Sequence, residues 1–454
     1  MSHEYSKWVL PQARPPSRHG IIPARDNAFH ACCADTMEDV VLDALEKCRA
    51  WTPERLQTTG RDSYYLPFAD WYGGSEVSHK GRRLIMTASH DYLGLAADPR
   101  VREAAADAVH RFGTSLGGSR VVNGSLELHE ELERQLALFL GHEAALVLPS
   151  GFQANLALAS LLDEQTMVFS DLSNHVSLGE AVRLGRSSEY KYAHRNMGQL
   201  ERRLARAGDR AAKIILVDGL FSVDGDVCDL PAVTELARAY GARVIVDSSH
   251  DLGVLGATGV GVAEHYGVPV DLITSALSKS LASVGGVVAG PANVIRFLRH
   301  QARAAMFTAA AAPSNVAAAL TALDILRSEP HRRTRLLDLA ERLHNGLRAL
   351  GFDTAPSTTP VVSVKVSGQE RCFRVWRLLC DAGVFTGPIA YPGVAKGREV
   401  LRMTLTAAHS DEHLEQVLTA LETVGRKEGI TPAQPPETYD RVVMTRPPSV
   451  VPAV

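Results

Sequence analysis

The amino-acid sequence predicts an α/β protein built on a mostly parallel central sheet. Short apolar runs rich in Val, Ile and Leu end in small or acidic residues, as strands buried on both faces do; they read AALVLPSG, KIILVDG, ARVIVDSS and DLITSALSK. Amphipathic helical segments alternate with these runs along the chain. This alternation favours a parallel sheet, whose ligands bind beyond the carboxyl ends of its strands.

Two of the helices are predicted by apolar residues that recur every three or four positions. The first carries Val101, Ala105, Ala108 and Phe112 on one face. The second carries on one face Leu336, Leu339, Leu343, Leu347 and Leu350, and the glycine that follows is typical of a helix C-terminus.

Length and composition narrow the functional class. A chain of 454 residues is expected to form two or three domains, and its 45% apolar and 22% charged residues are typical of a soluble globular protein. A net charge of −3 gives no electrostatic reason to expect a nucleic-acid or anionic-membrane partner. No apolar segment reaches the ~18 residues of a membrane span, so no integral membrane association is expected.

The cysteines and the N-terminus predict a cytoplasmic location. The six cysteines have neither metal-site spacing nor the density of a disulfide scaffold, so we expect reduced thiols and no metal. The first thirty residues contain proline and charge where a signal peptide needs an apolar run.

Polar motifs that follow the sheet-like runs suggest a site for a phosphorylated pyridine aldehyde. The segment from Ser150 to Asn155 opens a helix, where backbone N–H groups suit a phosphate, although alone it is more often a simple turn. Asp247 ends another run and could pair with a protonated pyridine nitrogen or cap a helix. His250 follows three residues later and could bind the ring hydroxyl.

A lysine and a second histidine complete the set. Lys279 lies among small residues in the segment LITSALSKSLASVGG, where a desolvated amine could form an imine with an aldehyde; a surface lysine at a strand end is an equally good reading. His175 in the segment Asp171–His175 could stack on a pyridine ring, although a lone histidine is more often a core or rim residue.

Taken together and in this order, the motifs resemble those of the α-oxoamine synthases. These are fold-type-I enzymes that use pyridoxal phosphate (PLP) to condense an amino acid with an acyl thioester, releasing carbon dioxide. The resemblance spans about three-quarters of the chain, roughly from Tyr92 to Glu422, and its C-terminal half is most similar to bacterial serine palmitoyltransferase-like members. The matching segments are DYLGL at 91–95, GTSLGGSRVVNGSLELHEELE, SGF at 150–152, DLSNH at 171–175, SVDGD at 222–226, DSSH at 247–250, SKS at 278–280 and LRMTL at 401–405 with the following AAH.

The resemblance implies a role for each of these residues. Lys279 becomes the Schiff-base lysine and the acid/base at the substrate Cα, Asp247 the partner of the pyridine nitrogen, and His175 the stacking residue. His250 and Ser222 would contact the ring oxygen. The PLP phosphate would be bound by Ser150, Gly151, Phe152 and Ser278, and Thr308 would reach the phosphate in the other subunit. The amino-acid substrate would be contacted by Arg402, His90 and Asn155.

The sequence departs from the family pattern near the substrate and the phosphate. His90 replaces an asparagine, which either alters the amino acid accepted or is a tolerated polar replacement. Ala276 replaces a phosphate-binding threonine, and the loss of such a contact would cost roughly 1.5–3 kcal/mol. Asp251 stands where a small residue is usual, and GVG at 259–261 replaces GRG. These departures leave open whether the enzyme uses an atypical substrate or a chemistry other than the standard condensation.

The resemblance also implies the domain organisation and the partners. A large PLP-binding domain is expected at 100–325, with a small α+β domain formed by 60–99 and 326–428. An arm and helix at 1–59 and a Pro-rich tail at 429–454 would flank them. The expected assembly is a homodimer with active sites at the subunit interface, and the thioester is carried by coenzyme A or an acyl carrier protein.

Two alternatives to the decarboxylative acyltransferase stay open at this stage. A PLP-dependent aminotransferase or lyase could use the same cofactor frame on another substrate. The chain could also be an inactive partner subunit, although the presence of Lys279 argues against that.

Overall fold

The strands of this protein form three sheets in the computed structural model, which describes residues 44–208, 212–355 and 357–431. Most are three to seven residues long and end at a turn or a helix. In chain order they are β1 Asp70–Tyr72, β2 Glu76–His79, β3 Arg82–Met86, β4 Ala144–Leu148, β5 Thr166–Asp171, β6 Ser188–Tyr192, β7 Ala212–Asp218, β8 Arg243–Asp247, β9 Leu272–Ala276, β10 Gly286–Gly290, β11 Val361–Lys365, β12 Val384–Phe385, β13 Gly387–Ile389 and β14 Val400–Thr404.

The helices lie between these strands and after them. They are α1 Pro53–Thr59, α2 Pro99–Phe112, α3 Glu127–Leu140, α4 Gly151–Ala157, α5 Val176–Gly185, α6 Met197–Ala207, α7 Leu230–Tyr240, α8 Val262–Tyr266, α9 Ala292–Gln301, α10 Arg303–Met306, α11 Pro313–Ser328, α12 Pro330–Ala349, α13 Gln369–Asp381 and α14 Asp411–Glu428, with 3-10 helices at Glu46–Ala50, Arg61–Ser63 and Leu158–Leu161. Local sequence sets their ends. For example, the Asp98 carboxylate accepts the Arg100 N–H at 3.0 Å and Pro99 fixes the first turn of α2.

The central sheet has seven strands in the order β4-β10-β9-β8-β7-β5-β6. Only β10 runs against its neighbours β4 and β9, so the other strands share one direction. The inner strands are buried on both faces. In β8, for example, Val244 and Val246 pack in one apolar cluster, while Ile245 between them packs in another. The carboxyl ends of the parallel strands therefore meet along one edge, where polar side chains collect.

Two smaller sheets accompany the central sheet, and one of them combines strands that are far apart in the sequence. In the order β1-β2-β3-β12, the strand β12 from the C-terminal part pairs in parallel with β3. The sheet β11-β14-β13 is antiparallel and packs against α12, α13 and α14 through a separate apolar core that includes Leu343, Trp376 and Leu421.

The predicted fold class, strands and helices are confirmed. The four apolar runs become β4, β7, β8 and β9, and the two periodic segments become α2 and α12. The residues before Pro53 form a unit of their own, of which 44–52 are described. Most of the predicted arm at 1–59 and nearly all of the tail at 429–454 lie outside the described residues. Within the described ranges, no helix combines the length and apolarity needed to cross a bilayer.

Candidate active site

The residues predicted to form the site converge at the carboxyl ends of the parallel strands. Asp247 is the last residue of β8, Lys279 lies just beyond β9, and His175 lies just beyond β5. Their charges act on one another, because Asp247 and Lys279 shift the pKa of His175 in opposite directions. The topology of the sheet thus brings together residues that are far apart in the sequence.

The Lys279 side chain lies between a buried wall and an open cleft. Burial lowers the pKa of its amine below the usual range, and the carboxylates of Asp247 and Asp218 oppose that effect only in part. The turn around Lys279 is anchored, because its carbonyl accepts the Ala282 N–H at 3.0 Å and the Ser280 hydroxyl donates to the Leu252 carbonyl at 2.6 Å. A larger share of the amine is therefore neutral, which is its nucleophilic form.

Two donors fix the carboxylate of Asp247, which is 5% exposed. The side-chain amide of Asn155 donates to Oδ2 at 2.6 Å, and the backbone N–H of Ser249 donates to Oδ1 at 2.9 Å. Asn155 also donates to the Ser177 hydroxyl at 2.8 Å. The carboxylate is thus held in one orientation at the base of the site.

A tyrosine and two histidines form the wall next to Lys279. The hydroxyl of Tyr92 lies 2.7 Å from Nδ1 of His250, and the ring of His90 meets the His250 ring edge-on at 5.1 Å between centroids. Burial, followed by the nearby Arg402 and Lys279 charges, lowers the pKa of His90 well below its usual range, and burial lowers that of His250 as well. Both imidazoles are therefore neutral near pH 7.

His175 caps the start of α5 directly after the β5 turn. Its backbone N–H donates to the Asp218 carboxylate at 3.1 Å, and its Nδ1 lies 2.6 Å from the Ser177 hydroxyl. The Phe152 ring approaches the imidazole edge-on at 6.4 Å. Burial lowers the pKa of His175, so the ring is flat, neutral and held in place.

Arg402 reaches the site from β14 of the small antiparallel sheet. Its Nη1 donates to the Ser222 backbone carbonyl at 2.9 Å. Burial, together with the Arg402 charge, lowers the pKa of His90. His90 lines the cleft together with Trp71, Asp91 and Lys279. The guanidinium is therefore held near His90, which lines the cleft.

The turn from Ser150 to Phe152 is packed tightly against the end of β9. The Ser150 hydroxyl accepts the Gln153 N–H at 3.2 Å and caps α4. A Cβ on Gly151 would lie 2.5 Å from the Cβ of Ala276, so only glycine fits there. Gln153 in turn donates its side-chain amide to the Thr308 hydroxyl of the same chain at 3.0 Å.

The comparisons with known proteins agree with this geometry. The family described as aminotransferase class I and II matches residues 84–421. A serine palmitoyltransferase from Sphingobacterium spiritivorum is 38% identical over 368 residues, which cover 80% of this chain and 92% of that protein. An 8-amino-7-oxononanoate synthase from Fervidobacterium nodosum is 38% identical over 361 residues, covering 78% and 91%.

A solved structure extends the match to three dimensions. It is a variant of the serine palmitoyltransferase from S. paucimobilis with a bound PLP–myriocin aldimine, and it aligns with a TM-score of 0.83 and 30% identity over 86% of this chain and all of that one. The chain belongs to the α-oxoamine synthase family. As a member it uses PLP and catalyses the decarboxylative condensation of an amino acid with an acyl thioester.

Some functional contacts of this α-oxoamine synthase could not be expected from its sequence. Tyr92 lies in a matching motif, but nothing in that motif pairs it with His250. Asn155, predicted to contact the substrate, donates its side-chain amide to the Asp247 carboxylate, and the Asp218 carboxylate accepts the His175 N–H. The sequence signal that could have indicated Asp218 as a site residue is its place at the acidic end of the run KIILVDG.

Proposed function

We propose that this enzyme condenses serine, or a similarly small amino acid, with a long-chain acyl thioester. The observation that carries the proposal is that Asp247 and Arg402 lie near enough to Lys279 for their charges to act on its amine, beside the cleft that Lys279 lines. The choice of substrates rests on the serine palmitoyltransferases among the relatives, which are 37–40% identical to this chain.

The residues around the cleft fit PLP. Because Gly151 has no side chain, the PLP phosphate could approach the N-terminal turn of α4 closely, and the Gly151 and Phe152 amides would bind it there. Asp247 would face the pyridine nitrogen, and His175 would cover the ring face. When bound, PLP supplies an electron sink that stabilises negative charge at the substrate Cα.

Lys279 would move the proton at the substrate Cα. Its amine is buried and shifted toward the neutral form, so it can accept a proton and later return it. Tyr92 keeps its hydroxyl proton, because burial raises its pKa above the usual range. With Tyr92 donating to Nδ1, the neutral His250 would carry its proton on Nε2 and could donate to the ring oxygen, together with the Ser222 hydroxyl.

Arg402 would bind the carboxylate of the amino acid. The Ser222 carbonyl orients the guanidinium without neutralising it, because a carbonyl is uncharged. A guanidinium offers a planar fork that matches a carboxylate bidentately. His90 beside it has a buried Nε2 that makes no hydrogen bond with any of the described residues, so it is available to the substrate.

We also propose a homodimer with sites at the subunit interface. Val121, Val122 and Phe307 are 57%, 82% and 81% exposed, and their segments adjoin because the Ala310 N–H donates to the Gly118 carbonyl at 3.0 Å. An exposed apolar patch of this kind favours a protein partner. Thr308 lies beside it, where it could reach the phosphate of the other subunit.

We also propose the limits of the two domains and a cytoplasmic location for the protein. The pairing of β3 with β12 supports a small domain made of 60–99 and 326–428 around the large domain at 100–325. A cytoplasmic location is supported by four free cysteines in the described residues, at positions 48, 228, 372 and 380.

The decisive experiment follows both products of the condensation. PLP-loaded protein is incubated with carboxyl-labelled serine and palmitoyl-coenzyme A, or palmitoyl carrier protein, and free thiol and carbon dioxide are measured. We expect them in equal amounts, with rates about 10²–10⁴-fold lower in K279A. Keto-acid formation without thiol release would overturn the proposal in favour of an aminotransferase or lyase, and no PLP-dependent absorbance change would favour an inactive subunit.

A further inference from the structure

A partly buried histidine outside the cleft joins two of the segments that form the site. The two ring nitrogens of His194 each lie 2.9 Å from a carboxylate, Nδ1 from Asp171 and Nε2 from Asp226. The Asp171 and Asp226 side chains are only 1% and 8% exposed. The Phe221 ring meets the imidazole edge-on at 4.4 Å, so the bridge is closed from a third side.

The charges around His194 favour a protonated imidazole bridge over a metal ion. His194, Asp224 and Asp226 lie close enough together to resemble a set of metal ligands. However, both His194 nitrogens already face carboxylates, and Arg195 and Arg398 pair with Asp226 and Asp224 at 3.3 and 3.5 Å. These cations balance the carboxylates, so no further positive charge is needed.

The Asp171 end of the bridge controls the turn that leads into His175. The Asp171 carboxylate accepts the Ser173 N–H at 2.8 Å and the Arg195 N–H at 2.9 Å. The Asp171 carbonyl accepts the Asn174 N–H at 3.2 Å. The turn therefore has a fixed shape that ends where the imidazole of His175 begins.

The Asp226 end controls the turn from Phe221 to Asp226. The Phe221 N–H donates to the Asp226 carbonyl and the Gly225 N–H to the Phe221 carbonyl, both at 2.9 Å. Ser222 lies within this turn, and its carbonyl is the group on which Arg402 rests. Ser357 and Thr359 hydroxyls bind the Gly225 carbonyl, each at 2.7 Å, so the turn cannot shift freely toward the small sheet.

We propose that His194 is a positioning residue for substrate binding. By joining Asp171 to Asp226 it holds the turn of Ser222, and through the Ser222 carbonyl it sets the direction of the Arg402 guanidinium. The same bridge fixes the turn before His175. This inference deepens the proposed function, because it rests on Arg402 binding the substrate carboxylate.

The test removes the His194 bridge and measures separately the mobility of the two turns and the affinity for the amino acid. In H194F the ring volume is kept but both hydrogen bonds are lost. We expect faster amide hydrogen exchange in segments 172–175 and 221–227 of the protein without substrate. We also expect the KM for the amino acid to rise about tenfold, with a smaller fall in kcat. D226N, which is isosteric, tests the same bridge from its other end if H194F does not fold.

H142F serves as the matched control, because His142 is a partly buried histidine at the opposite end of the central sheet, before β4. It should change neither the exchange of segment 221–227 nor the KM. Unchanged exchange and an unchanged KM in folded H194F or D226N would overturn the inference, as would a lower melting temperature with no other effect.

The Arg402 variant separates this inference from the proposed function. If R402Q leaves amino-acid affinity unchanged, the role proposed for Arg402 fails. If R402Q weakens binding while H194F and D226N do not, only the positioning role of His194 fails.

Discussion

Asn155 and Asp247 form a buried hydrogen bond of 2.6 Å between the side-chain amide of one and the carboxylate of the other. Asn155 lies on α4, the helix that follows β4, and Asp247 lies at the end of β8. Because Asn155 is itself 2% exposed and shared with Ser177, it fixes the carboxylate from below. The group that would face the pyridine nitrogen is therefore oriented before any ligand arrives.

Loss of that hydrogen bond should weaken cofactor binding. In N155L the Asp247 carboxylate keeps its N–H donor from Ser249 but loses the amide. A charge-assisted hydrogen bond contributes about 1.5–3 kcal/mol, so we expect the Kd for PLP to rise roughly tenfold or more in an absorbance titration. S177A removes the other acceptor of Asn155 and the hydroxyl beside His175 but leaves the Asn155–Asp247 hydrogen bond in place, so it should raise the Kd less than N155L does. Equal affinities of N155L and wild type would contradict this role.

The contact between Gly151 and Ala276 predicts a size-exchange experiment. A Cβ at position 151 would meet the Ala276 Cβ at 2.5 Å and its Cα at 2.8 Å. Overpacking of this kind costs about 1–3 kcal/mol, so G151A should lower both the free energy of unfolding and PLP affinity. The double variant G151A/A276G removes one of the two clashing methyl groups and should recover part of the stability in urea denaturation. No recovery would mean that another contact limits the turn.

Much of the fold could be predicted from the sequence, because strand runs and helix periodicity are local signals. The runs that became β4, β7, β8 and β9 are continuous and apolar, as strands buried on both faces must be. The site residues were predictable for a different reason. They follow those strands directly, so a parallel sheet necessarily gathers them at one edge.

Contacts between distant elements could not be predicted in the same way. The hydroxyl of Tyr92 meets a histidine 158 positions away, and the Asn155 amide meets a carboxylate 92 positions away. Such pairs depend on strand order and on the packing of the small sheet against the large one, neither of which has a local signal. His194 gave no sequence signal at all, since its two partners lie at the end of β5 and in the turn after β7.

The replacement H90N should change the choice of amino acid. The Nε2 of His90 is buried beside Arg402 and has no protein partner in the described residues. Asparagine is shorter and offers both a donor and an acceptor. We expect the ratio of kcat/KM values for serine and alanine to change by about tenfold or more, with PLP affinity unchanged. A constant ratio across a panel of amino acids would show that His90 is a tolerated replacement.

The exposed patch at Phe307 predicts the oligomeric state. Phe307 is 81% exposed, and its segment adjoins that of Val122, which is 82% exposed. A buried carboxylate in an apolar interface is strongly disfavoured, so F307E should convert the dimer to monomers in light-scattering measurements. Y65E is the matched control, since Tyr65 is another highly exposed aromatic residue and lies before β1, far from Phe307 in the sequence. A monomeric wild-type protein, or a dimer unaffected by F307E, would refute the proposed interface.

The His194 bridge should make stability depend on pH above neutrality. Burial alone would lower the pKa of His194, but the hydrogen bonds and charges of Asp171 and Asp226 outweigh it and raise the pKa to about 9. The folded-state pKa thus lies above the unfolded value of about 6.5. The stabilisation is therefore complete below about pH 6.5 and is lost as the pH rises through about 9.

The comparison of wild type with H194Q isolates this contribution. The interval between the two pKa values corresponds to roughly 3 kcal/mol at most, and the 25% exposure of the side chain reduces it. We expect the difference in unfolding free energy to be largest at pH 6 and small at pH 10, measured by urea denaturation. The other charged groups facing His194, including Arg195, are present in both proteins and cancel. A difference that stays constant from pH 6 to 10 would mean that the bridge is not ionic.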